Sequence, residues 1–186
     1  MNKSMRMNRR TLAIGAAALT FLCGSATRLS AQDDDDAPAI TARVHGTFVD
    51  KAGGAGVLSG DMWIVRFEVR NGAVTAVGRI KGSLADSVGH VLGLVDEELV
   101  TQVGAMDATC NQLRVDLAAT DADVLGTRVH FDRETAGFDS RDGATPKALR
   151  VLCAAGEAFR AAPTAATRAR ALNDVVRAIA LPAPPR

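Results

Sequence analysis

Aromatic residues are scarce in this chain of 186 residues, with six Phe, one Trp and no Tyr. A core here has to be built from Val, Leu, Ile and Ala. Histidine is equally sparse, at three positions (His45, His90 and His130), and so is cysteine, at Cys23, Cys110 and Cys153. No apolar run approaches the roughly 20 residues that a membrane-crossing helix needs. No Gly-x-Ser-x-Gly elbow is present, because the segment Gly56 to Gly60 puts Ser59 at the wrong offset. No glycine loop of the phosphate-binding kind follows a strand pattern. These absences leave no catalytic constellation and no cofactor motif, so the sequence points away from an enzyme.

What is present begins with a leader. Lys3, Arg6, Arg9 and Arg10 precede the short apolar run from Leu12 to Cys23, and small residues follow up to Ser30-Ala31-Gln32. This is the layout of a secretory signal peptide over 1–31, with cleavage expected after Ala31 and Ala26 as the alternative. Leu22 before Cys23 disfavours lipidation, and Arg9-Arg10 reads as an ordinary basic region rather than a twin-arginine signal. The expected location is therefore outside the cytoplasm, periplasmic or extracellular. The leader carries five basic residues (Lys3, Arg6, Arg9, Arg10 and Arg28) and no acidic ones. Its loss takes the chain from 22 basic against 21 acidic residues to 17 against 21, a net charge of −4. That balance gives no footprint for nucleic acid.

Cleavage also removes Cys23. Cys110 and Cys153 remain, an even number in an oxidising compartment, and are expected to form a disulfide. Asp33 to Asp36 are four consecutive like charges, which favours a solvated, disordered tail over 32–39 rather than a calcium loop. A single domain is expected over 40–181, with a disordered tail over 182–186.

The domain reads as mainly β. Ile40, Ala42, Val44, Gly46 and Phe48 alternate with Thr41, Arg43, His45 and Thr47, the period of a half-buried strand. Asn71-Gly72, between two alternating runs, predicts a hairpin with a two-residue type I′ turn. Arg70 then faces Ala73, and Val69 faces Val74. The continuation pairs Phe67 with Ala76, Val65 with Gly78, Trp63 with Ile80 and Asp61 with Gly82. Further strands are predicted over 98–105, 113–117 and from 127 to about 138, with 83–96 unassigned.

The period changes near the end. Thr145-Pro146 opens a helix carrying Leu149, Leu152, Cys153 and Gly156 on one face. After a break at Pro163-Thr164, Leu172, Val175, Val176 and Ile179 form a second amphipathic stripe. The expected fold is an antiparallel sheet, or a small β-barrel, with one or two C-terminal helices.

His45 and His130 lie on polar strand faces and would need a third ligand to hold zinc; none is evident, so no metal is expected. Arg43, Arg66, Arg79 and Arg128 read as the wet side of a sheet rather than an anion patch.

Several features together resemble a group of uncharacterised exported bacterial proteins. They are Gly46-Thr47-Phe48, the hairpin from Val69 to Ile80, Cys110 with Leu113, Val115 and Leu117, Leu125-Gly126 with Val129, and Val151-Leu152-Cys153. The resemblance implies an exported β-rich domain with one disulfide and no named activity. The functional expectation is binding of an apolar small molecule or lipid on the hairpin face Val65, Phe67, Val69, Val74, Ala76 and Ile80, with the second helix packed at the mouth. The alternative is a structural or protein-interaction module of the cell envelope that takes no ligand.

Overall fold

The structure is a computed structural model that describes residues 40–161 and 164–180. The leader, both expected tails and the break at Pro163 lie outside the described residues. Eight strands run in chain order: β1 (Thr41–Val49), β2 (Ala55–Arg70), β3 (Ala73–Ala85), β4 (Val91–Ala108), β5 (Gln112–Leu117), β6 (Thr120–Val124), β7 (Thr127–Phe131) and β8 (Glu134–Asp139). Two helices follow, α1 (Pro146–Arg160) and α2 (Ala165–Ile179). The strands β1-β2-β3-β4-β5-β8 close on themselves as a six-stranded antiparallel barrel, because β1 pairs with both β2 and β8. The two extra strands continue the wall at one end, β7 beside β1 and β6 beside β7. Closure removes the exposed edges that an open sheet would present.

The alternation in β1 falls in the expected phase: Ala42, Val44, Gly46 and Phe48 face inward and the intervening residues face solvent. The Asn71-Gly72 turn is also as expected. Both residues have positive φ, 51° and 77°, and Val69 pairs with Val74 and Phe67 with Ala76. Beyond Phe67 the expected register fails. A β-bulge between Ile64 and Arg66 leaves Val65 without a partner, so Ile64 faces Gly78, Met62 faces Ile80, Trp63 faces Arg79 and Asp61 faces Lys81. The extra residue bends the strand and increases its twist, as a barrel wall requires. It also turns Met62 and Ile64 into the core and leaves Val65 outside. Lys81 lies over the outward Trp63 ring, 5.6 Å from its centroid.

Other boundaries also shift. The expected strand at 98–105 is the second half of the long β4, and the unassigned stretch contains the end of β3 and the start of β4. The segment expected to run from 127 to 138 divides into β7 and β8, which pair with different neighbours.

The helices start where the sequence places them. Thr145 caps α1 by accepting from the Ala148 N–H (3.2 Å), and Thr164 caps α2 by accepting from the Thr167 N–H (3.3 Å). Together they cover one end of the barrel. α2 packs on β2 and β3, and α1 packs on the end of β4. Leu152, Leu172, Val175 and Ile179 are buried in the same core as Leu113, Phe138 and Phe67. Gly156 is required at the α1 contact: a Cβ there would stand 2.3 Å from the Ala108 carbonyl oxygen. The Cys110–Cys153 disulfide joins α1 to the β4–β5 turn at this end. No helix among the described residues is long and apolar enough to cross a membrane.

Candidate functional site

The end of the barrel opposite the helices is built from three turns. One joins β1 to β2, one joins β3 to β4 and one joins β6 to β7. Between them lies a cleft of about 600 Å³, with Phe48, Val49, Leu84, Leu92 and Leu125 as its apolar lining. Asp50, Lys51, Asp86 and Thr127 supply the polar part.

Hydrogen bonds hold the first two turns in place. The Asp50 carboxylate accepts from the backbone N–H groups of Ala52 (2.9 Å), Gly54 (2.8 Å) and Ser87 (3.0 Å), and from the Ser87 hydroxyl. Ser87 belongs to the β3–β4 turn, so one carboxylate ties two turns together. Its pKa is drawn down to about 2, first by the Ser87 hydroxyl and then by the backbone donors of Ser87, Gly54 and Ala52. Asp86 closes its own turn by accepting from the N–H groups of Val88 (3.0 Å) and His90 (2.8 Å).

The third turn is unusual in its chemistry. Val124 pairs with Thr127 across the two-residue loop Leu125-Gly126, and both loop residues have positive φ, 50° and 75°. The same chain meets this requirement at its other two-residue hairpin with Asn71, a residue that tolerates left-handed backbone. A leucine in that conformation costs roughly 1–2 kcal/mol. Its backbone N–H donates to Glu97 Oε1 of β4 at 3.1 Å, and its side chain lies over Gly93, where an added Cβ would come within 2.7 Å of Leu125 Cδ1. Leu125 thus bridges the gap between the β6–β7 hairpin and β4 with an apolar side chain that lines the cleft.

The expected ligand face is located elsewhere. Phe67, Val74, Ala76 and Ile80 are buried core residues at the helix-covered end, and Leu172, Val175 and Ile179 pack in that same core, with Val176 half-buried at its edge. Val69 is 44% exposed at the hairpin tip. Val65, expected on the same inward face, is 55% exposed, a correction that follows directly from the bulge. None of the six lines the cleft. The sequence reading missed Phe48, Leu84, Leu92 and Leu125 as a group. The legible signal was the Leu-Gly pair at the centre of a hairpin, a position normally given to Asn or Asp.

The polar wall carries ion pairs. His45 Nδ1 stands 3.1 Å from Glu134 Oε1, and His130 Nδ1 stands 2.8 Å from Asp121 Oδ1. Asp121 also meets Arg128 at 3.4 Å, and its carboxyl is held below the ordinary range by His130 first and Arg128 second. Each histidine has a carboxylate of its own, and no group of three metal-ligating side chains occurs among the described residues. Arg66 pairs with Glu68 and Glu98, and Arg79 with Asp96, as expected of a wet sheet face. No protein-family model, curated protein or solved structure matches this chain.

Proposed function

We propose that this protein is an exported binding module for an apolar small molecule or lipid, and that its site is the cleft at the barrel end opposite the helices. The observation that carries the reading is Leu125, a strained, half-exposed leucine lining an apolar cleft. Backbone strain retained at one position argues that the side chain is needed there. The cleft volume of about 600 Å³ falls within the size range of small-molecule pockets. The carboxylates at its rim are already occupied by backbone donors, so the turns are held in place before a ligand arrives. Export rests on the leader, and a disulfide-bonded domain is consistent with that destination.

The test is a titration with the neutral dye N-phenyl-1-naphthylamine, followed by fluorescence. Saturable binding is expected, and Leu92→Asp should abolish it, because a carboxylate would then face the apolar lining. Equal dye binding by the parent and the variant, or none by either, overturns the reading. A second reading draws on the packed interior around Phe67, Ala76 and Ile80: an envelope interaction module with no ligand. It predicts no dye binding and a crosslinked protein partner instead.

A further inference from the structure

The cleft accounts for only part of the apolar surface at the open end. Of the nine large apolar side chains exposed among the described residues, seven stand there. Several project away from the cleft. Val88 is 73% exposed at the β3–β4 turn tip, and Val91 is 63% and Leu94 80% exposed on the outer wall. A molecule lying in the cleft would leave these three in water. Single exposed leucines and valines are ordinary, but a contiguous collar of them marks an interaction surface.

The strand register shows how the collar is organised. Thr47, Val57, Ala85 and Val91 face one another across β1, β2, β3 and β4 and form an outward row near the open end, which runs on through His130 of β7 and Asp121 of β6. Two residues further along the strands, about 7 Å away, the row is His45, Ser59, Ser83 and Leu94. The next row is Arg43, Asp61, Lys81 and Asp96, a strict alternation of sign with no net charge. On the β1–β4 face polarity therefore changes along the barrel axis, from an aliphatic row through a mixed row to a charge-balanced band.

We propose that this end of the barrel docks on a zwitterionic lipid bilayer. Aliphatic groups at the tips would enter the boundary between headgroups and acyl chains, roughly 5–10 Å deep. The alternating band would then sit at the level of the headgroups. Its paired positive and negative side chains complement a surface that carries both signs on every lipid and no net charge. A basic patch suited to an anionic membrane is not what this wall presents. Val88, Val91 and Leu94 do not line the cleft, so either assignment can fail while the other stands.

The experiment is co-sedimentation of the full chain with sucrose-loaded phosphatidylcholine vesicles, compared with the double variant Val88→Asp, Leu94→Asp in the same full chain. The comparison cancels any contribution of the apolar run Leu12 to Cys23. Both substituted side chains are largely in water, so the thermal midpoint of the variant should match that of the parent. The vesicle partition coefficient should fall by about tenfold or more, given the apolar area withdrawn from lipid. N-phenyl-1-naphthylamine binding should be unchanged. Equal sedimentation of parent and variant overturns the proposal. So does a parent that stays in the supernatant. A parent that is dimeric in sedimentation velocity and becomes monomeric in the double variant also overturns it, because the collar would then be covered by a second copy.

Discussion

Asn173 and Phe67 exchange two hydrogen bonds across 106 positions of chain: the Phe67 N–H donates to Asn173 Oδ1 at 2.8 Å, and Asn173 Nδ2 donates to the Phe67 carbonyl at 2.8 Å. A side-chain amide has the donor and acceptor of a peptide group, so Asn173 acts as one residue of a missing strand. It is needed because β1 ends its pairing with β2 near Thr41 and Trp63, with one further bond from the Ile64 N–H to the Ile40 carbonyl. Past that point the outer edge of β2 would be bare, and α2 is what covers it.

Replacing Asn173 with Leu should therefore destabilise the domain by about 1–3 kcal/mol, since two part-buried backbone groups lose their partners. Urea unfolding would measure the loss, and amide exchange should show Phe67 newly exposed. Asn173→Asp retains the acceptor and loses the donor, and should fall between the parent and the Leu variant.

The hairpin offers a test of backbone conformation alone. Gly72 has φ of 77° and nothing within 4 Å of a built Cβ. Gly72→Val meets no steric obstacle beyond its own backbone, so its effect isolates the left-handed requirement. A loss of roughly 1–3 kcal/mol is expected. An unchanged unfolding midpoint would contradict the turn geometry.

These two cases mark what was legible in the sequence. Asn-Gly names a turn type locally, and the alternation of β1 names a buried face locally, so both could be read. Asn173 could not, because its partner is set by where β1 happens to stop. The bulge at Val65 was hidden for a different reason. Met62, Trp63, Ile64 and Val65 are all apolar, so a period of two does not choose between the two phases. Closure of the barrel makes that choice by bending β2. The candidate cleft draws on three turns far apart in sequence, and only its Leu125-Gly126 member carries a local mark.

The disulfide can be checked by mass. Intact protein should gain two hydrogens on reduction, and native protein should offer no alkylatable thiol at Cys110 or Cys153. The bond closes a loop of 43 positions, for which chain entropy suggests about 4 kcal/mol, less any native strain. Cys110→Ser with Cys153→Ser should lower the urea midpoint accordingly. Helix α1 should be the first element to lose amide protection.

Acid should loosen the turns at the open end. Asp50 is held at about 2 in the folded protein against an ordinary 3.8. A depressed carboxyl pKa contributes stability that is fully present above the unfolded value and is lost as pH falls through the folded one. The contribution should therefore fade from about pH 5 down to about pH 2. Amide exchange at Ala52, Gly54 and Ser87 should accelerate over that window. In Asp50→Asn and Ser87→Ala the pH dependence should flatten.

Leu125 gives the prediction that separates folding from function. Asparagine tolerates the left-handed backbone that leucine resists. Leu125→Asn should therefore relieve strain and raise stability by up to about 1 kcal/mol. The same change removes an apolar wall from the cleft and its cover over Gly93. Dye affinity should fall by about tenfold, the equivalent of about 1.4 kcal/mol of lost apolar contact. A residue retained only for the fold would show the opposite pairing: a destabilised variant with unchanged binding. A variant that is both more stable and weaker in binding would identify the strain at Leu125 as serving the cleft. If stability rises and the parent binds no dye, the turn geometry is right and the binding reading is overturned.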